Sequence, residues 1–448
     1  MTSPSPVADS GRRPAPEPVA ILAMAREQSL SRLLITYIVT GLAFMLLPGT
    51  FLGVWNLISI SGAQAANRVS PAWVQAHGHA QIFGWIVSFI LGIGFYSIPK
   101  LLRSRGFALW RGWTCWAMWT AGVGLRWTAN VYGWHWRALL PISAVLELLA
   151  FLLFFTTVSG HRSPGQKSFE SWIVVVIGGT VGLLATLAVN FGAAIHLALW
   201  EAGPAFPHSF DQRFLVLSTW GFLAPFVWGF SARWLPVFLG LRALRAKLLL
   251  AALGMNSVGV IAALAGRFGL CTALLLCGGL TAGTALRLFE AAAQPPKIRG
   301  VHASFPAFVR LAYVWLLVAA LLGVWAANAA GETAGIWGAS RHALTVGFIA
   351  AMVFCVGQRV LPAFSGMRHL FSPRLMFLGL LLLNLGCALR VSSEVLAYRG
   401  YLWGWGAWRW LPVSAVTEMT AVTLFALNMA ASFAQPAPPV ACAIDSPR

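Results

Sequence analysis

His77-Gly78-His79 and Arg341-His342 head two apolar segments that lie far apart in the chain. Of nine histidines, these three sit where two membrane spans begin, on one face of the membrane. Imidazole is the usual axial donor to haem iron in electron transfer and gas binding. Two imidazoles at one depth on two related helices therefore read as a pair of axial ligands. Two residues along a helix turn side chains about 200° apart, so His77 and His79 address different neighbours. His79 is the favoured ligand, because the second segment carries its histidine at that position. The plain alternative is a helix-end histidine hydrogen-bonded to loop carbonyls.

Other residue types add to this set. His196 closes Asn190-Phe191-Gly192-Ala193-Ala194-Ile195-His196 at the same side of the membrane. It is a candidate third ligand, for copper or a second haem. His208 and Asp211 fall in the loop that follows, and His135 in another; these read as rim residues. Glu147 and Glu418 each stand six residues beyond a proline, in Leu140-Pro141-Ile142-Ser143-Ala144-Val145 and Leu411-Pro412-Val413-Ser414-Ala415-Val416. A carboxylate inside a membrane is costly and calls for a role. A proton path, a hydrogen bond to a cofactor ligand, or a partner for an arginine would each supply one. Arg126 and Arg390 close two spans in Gly-Leu-Arg and Ala-Leu-Arg. Arginine forks carboxylates, which suits the two propionates of a haem; snorkelling to the interface is the ordinary alternative.

The elements that hold these residues are membrane helices. The chain is 58% hydrophobic and 10% charged. Apolar runs of about 20 residues recur at the length needed to cross a bilayer, with none of the alternation of a barrel. Twelve spans are expected, at about 33–58, 79–99, 107–125, 139–158, 172–199, 214–239, 246–265, 268–290, 308–328, 342–363, 374–394 and 411–433. The fold class is an all-α membrane protein. Residues 1–30 lack the apolar core of a signal peptide and read as a disordered cytoplasmic tail; residues 435–448 read likewise. With the N-terminus inside, 22 of the 31 Lys+Arg fall on the inner side, which sets both termini in the cytoplasm of a cell bounded by this inner membrane. The net charge of +19 is thus a topology signal. Nucleic-acid binding is excluded, because no basic soluble domain exists to carry it. None of the six cysteines forms a Cys-x-x-Cys pair, so neither a disulfide framework nor a zinc site is expected.

An internal repeat organises the spans. Gly221-Phe222 lies 137 residues beyond Gly84-Trp85, and Pro236 lies 137 beyond Pro99. Gly347-Phe348, Pro362 and His342 lie 263 residues beyond Gly84-Trp85, Pro99 and His79. The middle segment has Val216 where the others have histidine. Spans two, six and ten are expected to be copies of one helix, in three quasi-repeats of four spans at about 31–160, 170–292 and 306–434. Gly84, Gly92, Gly94 and Gly347 would let a neighbouring helix or a flat cofactor approach closely.

Several of these stretches resemble the NnrS family, twelve-span haem- and copper-containing membrane proteins tied to nitric oxide metabolism. Arg341 to Phe348 with Arg359-Val360-Leu361-Pro362 resembles its signature helix. His77-Gly78-His79 with Phe83-Gly84 resembles its early histidine helix. Asn190 to His196 and Arg233-Trp234-Leu235-Pro236-Val237-Phe238 resemble its middle segment. The chain departs from the pattern at Ala80-Gln81 and at Leu361 to Arg368, where a histidine is missing. The layout also resembles subunit I of haem-copper oxidases, but spans six and seven hold no histidine for a binuclear centre. The resemblance implies a haem b protein, with copper as a further candidate, that handles nitric oxide or nitrosative stress. A quinol-linked oxidoreductase, and a transporter or metalloenzyme assembly factor, are the other readings. Lipid is an expected partner, with nitric oxide or quinol as ligand.

Overall fold

The computed structural model describes residues 18–101, 106–159, 170–330, 333–366, 369–400 and 404–436. Among them the chain forms twelve long helices and no strand. They are α1 (Ala23–Ala63), α2 (Pro71–Leu101), α3 (Leu109–Tyr132), α4 (Trp136–Ser159), α5 (Ser171–Trp200) and α6 (His208–Leu239). They continue with α7 (Ala246–Leu264), α8 (Phe268–Ala285), α9 (Phe305–Asn328), α10 (Ala334–Phe364), α11 (Pro373–Tyr398) and α12 (Gly406–Ala434). Eleven are long and apolar enough to cross a membrane. The remaining one, α3, carries Arg111, Arg126 and five tryptophans, which lower its hydropathy. It nevertheless packs against α1, α2 and α4.

Each helix packs on the next in sequence, and α12 returns to α1, so the outer helices close a ring. Three helices lie inside it. In their most apolar stretches α2, α6 and α10 are 78, 67 and 72% buried, against 28–50% for the other eight helices long and apolar enough to cross a membrane. These are the three spans whose Gly-aromatic and proline positions coincide in the sequence. Each also contains a π-helical turn, at Ala80–Val87, Leu217–Leu223 and Ala343–Ala350. The three turns begin 137 and 263 residues apart from the first, the same offsets as the shared motifs. A π turn frees backbone carbonyls from the usual ladder, and a buried carbonyl needs a donor. Trp119 Nε1 on α3 donates to Phe83 O (3.0 Å), and Asn256 Nδ2 on α7 donates to Trp220 O (2.7 Å). Both acceptors and both donors are again 137 residues apart. A fourth π turn, Met45–Phe51 in α1, has a different cause, since it contains Pro48.

The structure shifts several expected boundaries. The first helix extends back to Pro18, into the segment expected to be a tail, because Glu27 accepts from Tyr96 Oη (2.5 Å) and Lys100 Nζ (2.7 Å). Residues 1–17 and 437–448, with Trp403, Arg368 and Cys442, lie outside the described residues. Helix α2 begins at Pro71, with Ser70 Oγ accepting from Ala72 N (3.3 Å) as an N-cap, and α10 begins at Ala334. The histidines therefore sit about two turns inside their helices rather than at the start. Polar Gln75 and Arg341 hide these first turns from a hydropathy reading. His208 and Asp211 are not in a loop; they form the first turn of α6. The glycines singled out above receive aromatic rings from neighbouring helices. An added Cβ would meet Phe44 at Gly84 (2.8 Å), Tyr37 at Gly92 (2.6 Å), Phe154 at Gly94 (2.6 Å) and Trp315 at Gly347 (2.5 Å).

Candidate functional site

His79 is 6% exposed and faces α4, where its Nε2 donates to Glu147 Oε1 at 2.8 Å. Glu147 is fully buried, and its Oε2 has no partner among the described residues. Its stem packs over Gly122 of α3, the position at which any side chain would collide with it. The imidazole stacks on Phe83 one turn below, with ring centroids 4.4 Å apart. Phe83 stacks in turn on Phe214 of α6 (6.5 Å), which meets Phe206 (5.5 Å). An aromatic wall thus separates this imidazole from α6.

His77 faces the other way, as the helical spacing requires. Its Nδ1 is 2.9 Å from Gly49 O of the π turn in α1, and Gly53 leaves the space its ring occupies. His342 and Arg390 lie near it.

His342 has a different set of partners. Its Nδ1 donates to Gly338 O, one turn back, at 3.0 Å. Glu394 Oε2 of α11 is 3.5 Å from the same nitrogen and 3.4 Å from Arg390. Nε2 has no hydrogen-bond partner among the described residues, and the side chain is 26% exposed. Gly338 serves twice: it supplies the carbonyl, and its missing side chain leaves the space filled by the Glu394 carboxylate. Sequence reasoning singled out Glu418 and overlooked Glu394. Its place four residues after Arg390, one helical turn away, signals an ion pair with that arginine but not a partner for His342. Glu418 packs over Gly386 as Glu147 packs over Gly122, but its Oε1 has no partner among the described residues.

Arg126 and Arg390 do not snorkel. They are 2 and 7% exposed and point into the protein. Arg126 donates to Asn190 Oδ1 (2.9 Å), lies over the ring of Phe206 (4.7 Å), and feels the charges of Glu147 and Asp211. The Nε of each guanidinium has no partner among the described residues. Gln75, at the position equivalent to Gly338, holds the backbone of Phe206 through both Nε2→O (3.0 Å) and N→Oε1 (2.8 Å). The result is a polar layer of two groups: His79, Glu147 and Arg126, which are buried, and His77, His342, Arg390 and Glu394, of which His342 is 26% exposed.

His196 and His135, both singled out in the sequence, stay outside this layer. The His196 side chain is 60% exposed beside Trp200, with Glu201 Oε1 at 3.7 Å. His135 occupies a turn with φ +40°. Among the described residues, no three His, Cys, Asp or Glu side chains come together as a metal site.

No family model matches the chain, and no curated protein sequence matches it. Its fold is shared with solved structures. A cryo-EM structure of a haem-copper terminal oxidase dimer is similar over 92% of this chain and 85% of that one, with a TM-score of 0.53 and 12% sequence identity. At that identity the likeness is one of fold: an all-α, multi-pass membrane architecture of the haem-copper oxidase kind.

Proposed function

We propose that this chain is a haem-binding protein of a bacterial inner membrane, of NnrS type, that handles nitric oxide or nitrosative stress. Both termini would face the cytoplasm, and the three four-helix units would derive from one. The observation that carries the reading is the placement of His79 and His342. They stand at equivalent positions on two central helices, each directly before a π turn and each beside a buried carboxylate. A histidine that ligates metal characteristically gives its second ring N–H to a carbonyl or carboxylate.

The residues fit a haem in unequal ways. His342 meets the requirement directly: Gly338 O orients the ring through Nδ1, and Nε2 has no hydrogen-bond partner among the described residues. At His79, Nε2 is engaged by Glu147. The ring nitrogen left for iron is then Nδ1, with Glu147 as the carboxylate that takes the second N–H. Arg390 and Arg126 are the candidate partners of the propionates, and His77 is a second candidate ligand on the His342 side. Haem b held there would supply one-electron exchange or the binding of a small gas. The chain's contribution is to orient two imidazoles, to keep charge balanced in a dry layer, and to exclude lipid with Phe83, Phe214 and Phe206. A copper site does not fit. His196 stands apart from the other histidines, and no three donors converge among the described residues. The same lack of convergence weighs against a binuclear oxidoreductase centre.

A strain deleted for this chain tests the role. Growth in the presence of a nitric oxide donor should be impaired, restored by the parent chain and not by His342→Ala. Equal growth of the deletion strain, or full rescue by His342→Ala at equal expression, would overturn the proposal.

A further inference from the structure

The connection between α5 and α6, residues 201–207, lies against α2 and α3, the helices that carry His79 and Arg126. From Ala202 to Phe206 no backbone N–H pairs with a backbone carbonyl among the described residues. Nothing lies within 4 Å of an added Cβ at Gly203. Ala202 and Pro207 are exposed, and only Phe206 of this segment is buried, at 4% exposure. A segment with so few bonds of its own belongs to the low end of local stability.

Side chains of the two helices hold it in place. Gln75 of α2 donates to Phe206 O (3.0 Å) and accepts from Phe206 N (2.8 Å). Asn130 of α3 donates to Pro204 O (3.0 Å). Gln75 stands one turn before His79, and Asn130 one turn after Arg126. The Phe206 ring lies over the Arg126 guanidinium (4.7 Å) and meets Phe210 (5.0 Å) and Phe214 (5.5 Å). Arg126 Nη1 donates to Asn190 Oδ1 (2.9 Å), so these two side chains form one cluster. In that cluster Arg126 Nε and Asn190 Nδ2 are buried donors with no partner among the described residues.

The last unit lacks this cover. The residue 263 beyond Gln75 is Gly338, and the residue 264 beyond Asn130 is Glu394, the same offset that relates Arg390 to Arg126. Gly338 has no side chain to grip a crossing backbone, and the Glu394 carboxylate is turned to Arg390. The His342 side chain is 26% exposed, against 5% for His79. Of two equivalent histidine sites, one is partly open and the other is closed by a segment that two amides hold down.

We propose that residues 202–207 are a lid over Arg126 and His79, held shut by Gln75 and Asn130, that swings aside to admit a ligand whose anionic group reaches the Arg126 and Asn190 donors. A haem propionate is such a group on the reading above, and the lid rests on that reading only for the ligand's identity. Its movement is measured without haem. A reporter cysteine at Asn190, or at buried Ala194 one turn along the same face of α5 should Asn190→Cys not fold, is treated with methanethiosulfonate ethylsulfonate in the detergent-solubilised full chain. Site-resolved mass spectrometry then follows the reaction. The reporter should react slowly in the otherwise native chain and about tenfold faster with Gln75→Ala, the change expected for losing the two bonds to Phe206. Phe206→Ala, which removes the ring, should also accelerate it. Buried Cys115 and Cys355 should stay unreacted throughout, showing that the bundle itself has not loosened. Equal reporter rates with and without Gln75→Ala, no reaction in any variant, or acceleration matched at Cys115 and Cys355 would overturn the lid.

Discussion

Glu147 and His79 form a buried pair whose value lies in what happens when one member is removed. Deleting one partner of such a pair costs about 3–5 kcal/mol, because the other is left without its compensation. Glu147→Ala should lower stability by that amount in denaturant titrations of the detergent-solubilised protein. Glu147→Gln keeps an acceptor for Nε2 and should cost about 1 kcal/mol, the difference between a charge-assisted and a neutral hydrogen bond. Equal losses for the two variants would show that the bond itself is not what stabilises the site. The carboxylate was legible in the sequence, because the prolyl motif carrying it recurs with Glu418. The carboxylate beside His342 was not. His342 is served by Glu394, which belongs to α11, and the sequence does not reveal which face of α11 meets α10. The missing side chain at Gly338 decides that contact, and a lone glycine in an apolar segment reads as ordinary packing.

The π turns tell a similar story at the level of helices. The apolar runs that make twelve helices are legible because membrane burial imposes one composition over one length. The π turns are not, since they arise from how each central helix meets its neighbours. At Gly182 of α5, an added Cβ would collide with the backbone oxygen of Gly221 in the π turn of α6. Backbone cannot rotate aside as a side chain does, so Gly182→Ala should cost about 1–3 kcal/mol. On the same helix nothing lies within 4 Å of an added Cβ at Gly192. Gly192→Ala should therefore be neutral or stabilise by about 1 kcal/mol through helix propensity. Thermal melts of the two variants in one detergent check both signs. Destabilisation by both would mean that α5 is sensitive to any side chain, not to contact with the π turn.

Across the whole molecule, charge sets orientation and the ring of outer helices sets what is buried. The basic loop after α8 should face the cytoplasm and the α5–α6 connection should not. Single cysteines at exposed Ala292 and Ser209, probed in intact cells with a membrane-impermeant maleimide, read this directly. Ser209→Cys should label and Ala292→Cys should not, above the background of the parent; the reverse pattern would invert the topology. The inner position of α2, α6 and α10 follows from the same architecture, and it brings His79, His77 and His342 into one polar layer. The central claim is that this layer holds iron. A pyridine haemochrome spectrum of the purified, monodisperse chain is the most direct test. The account predicts haem b in the parent and loss of most of it in His342→Ala. A folded parent without haem, or an unchanged spectrum in the variant, would contradict it.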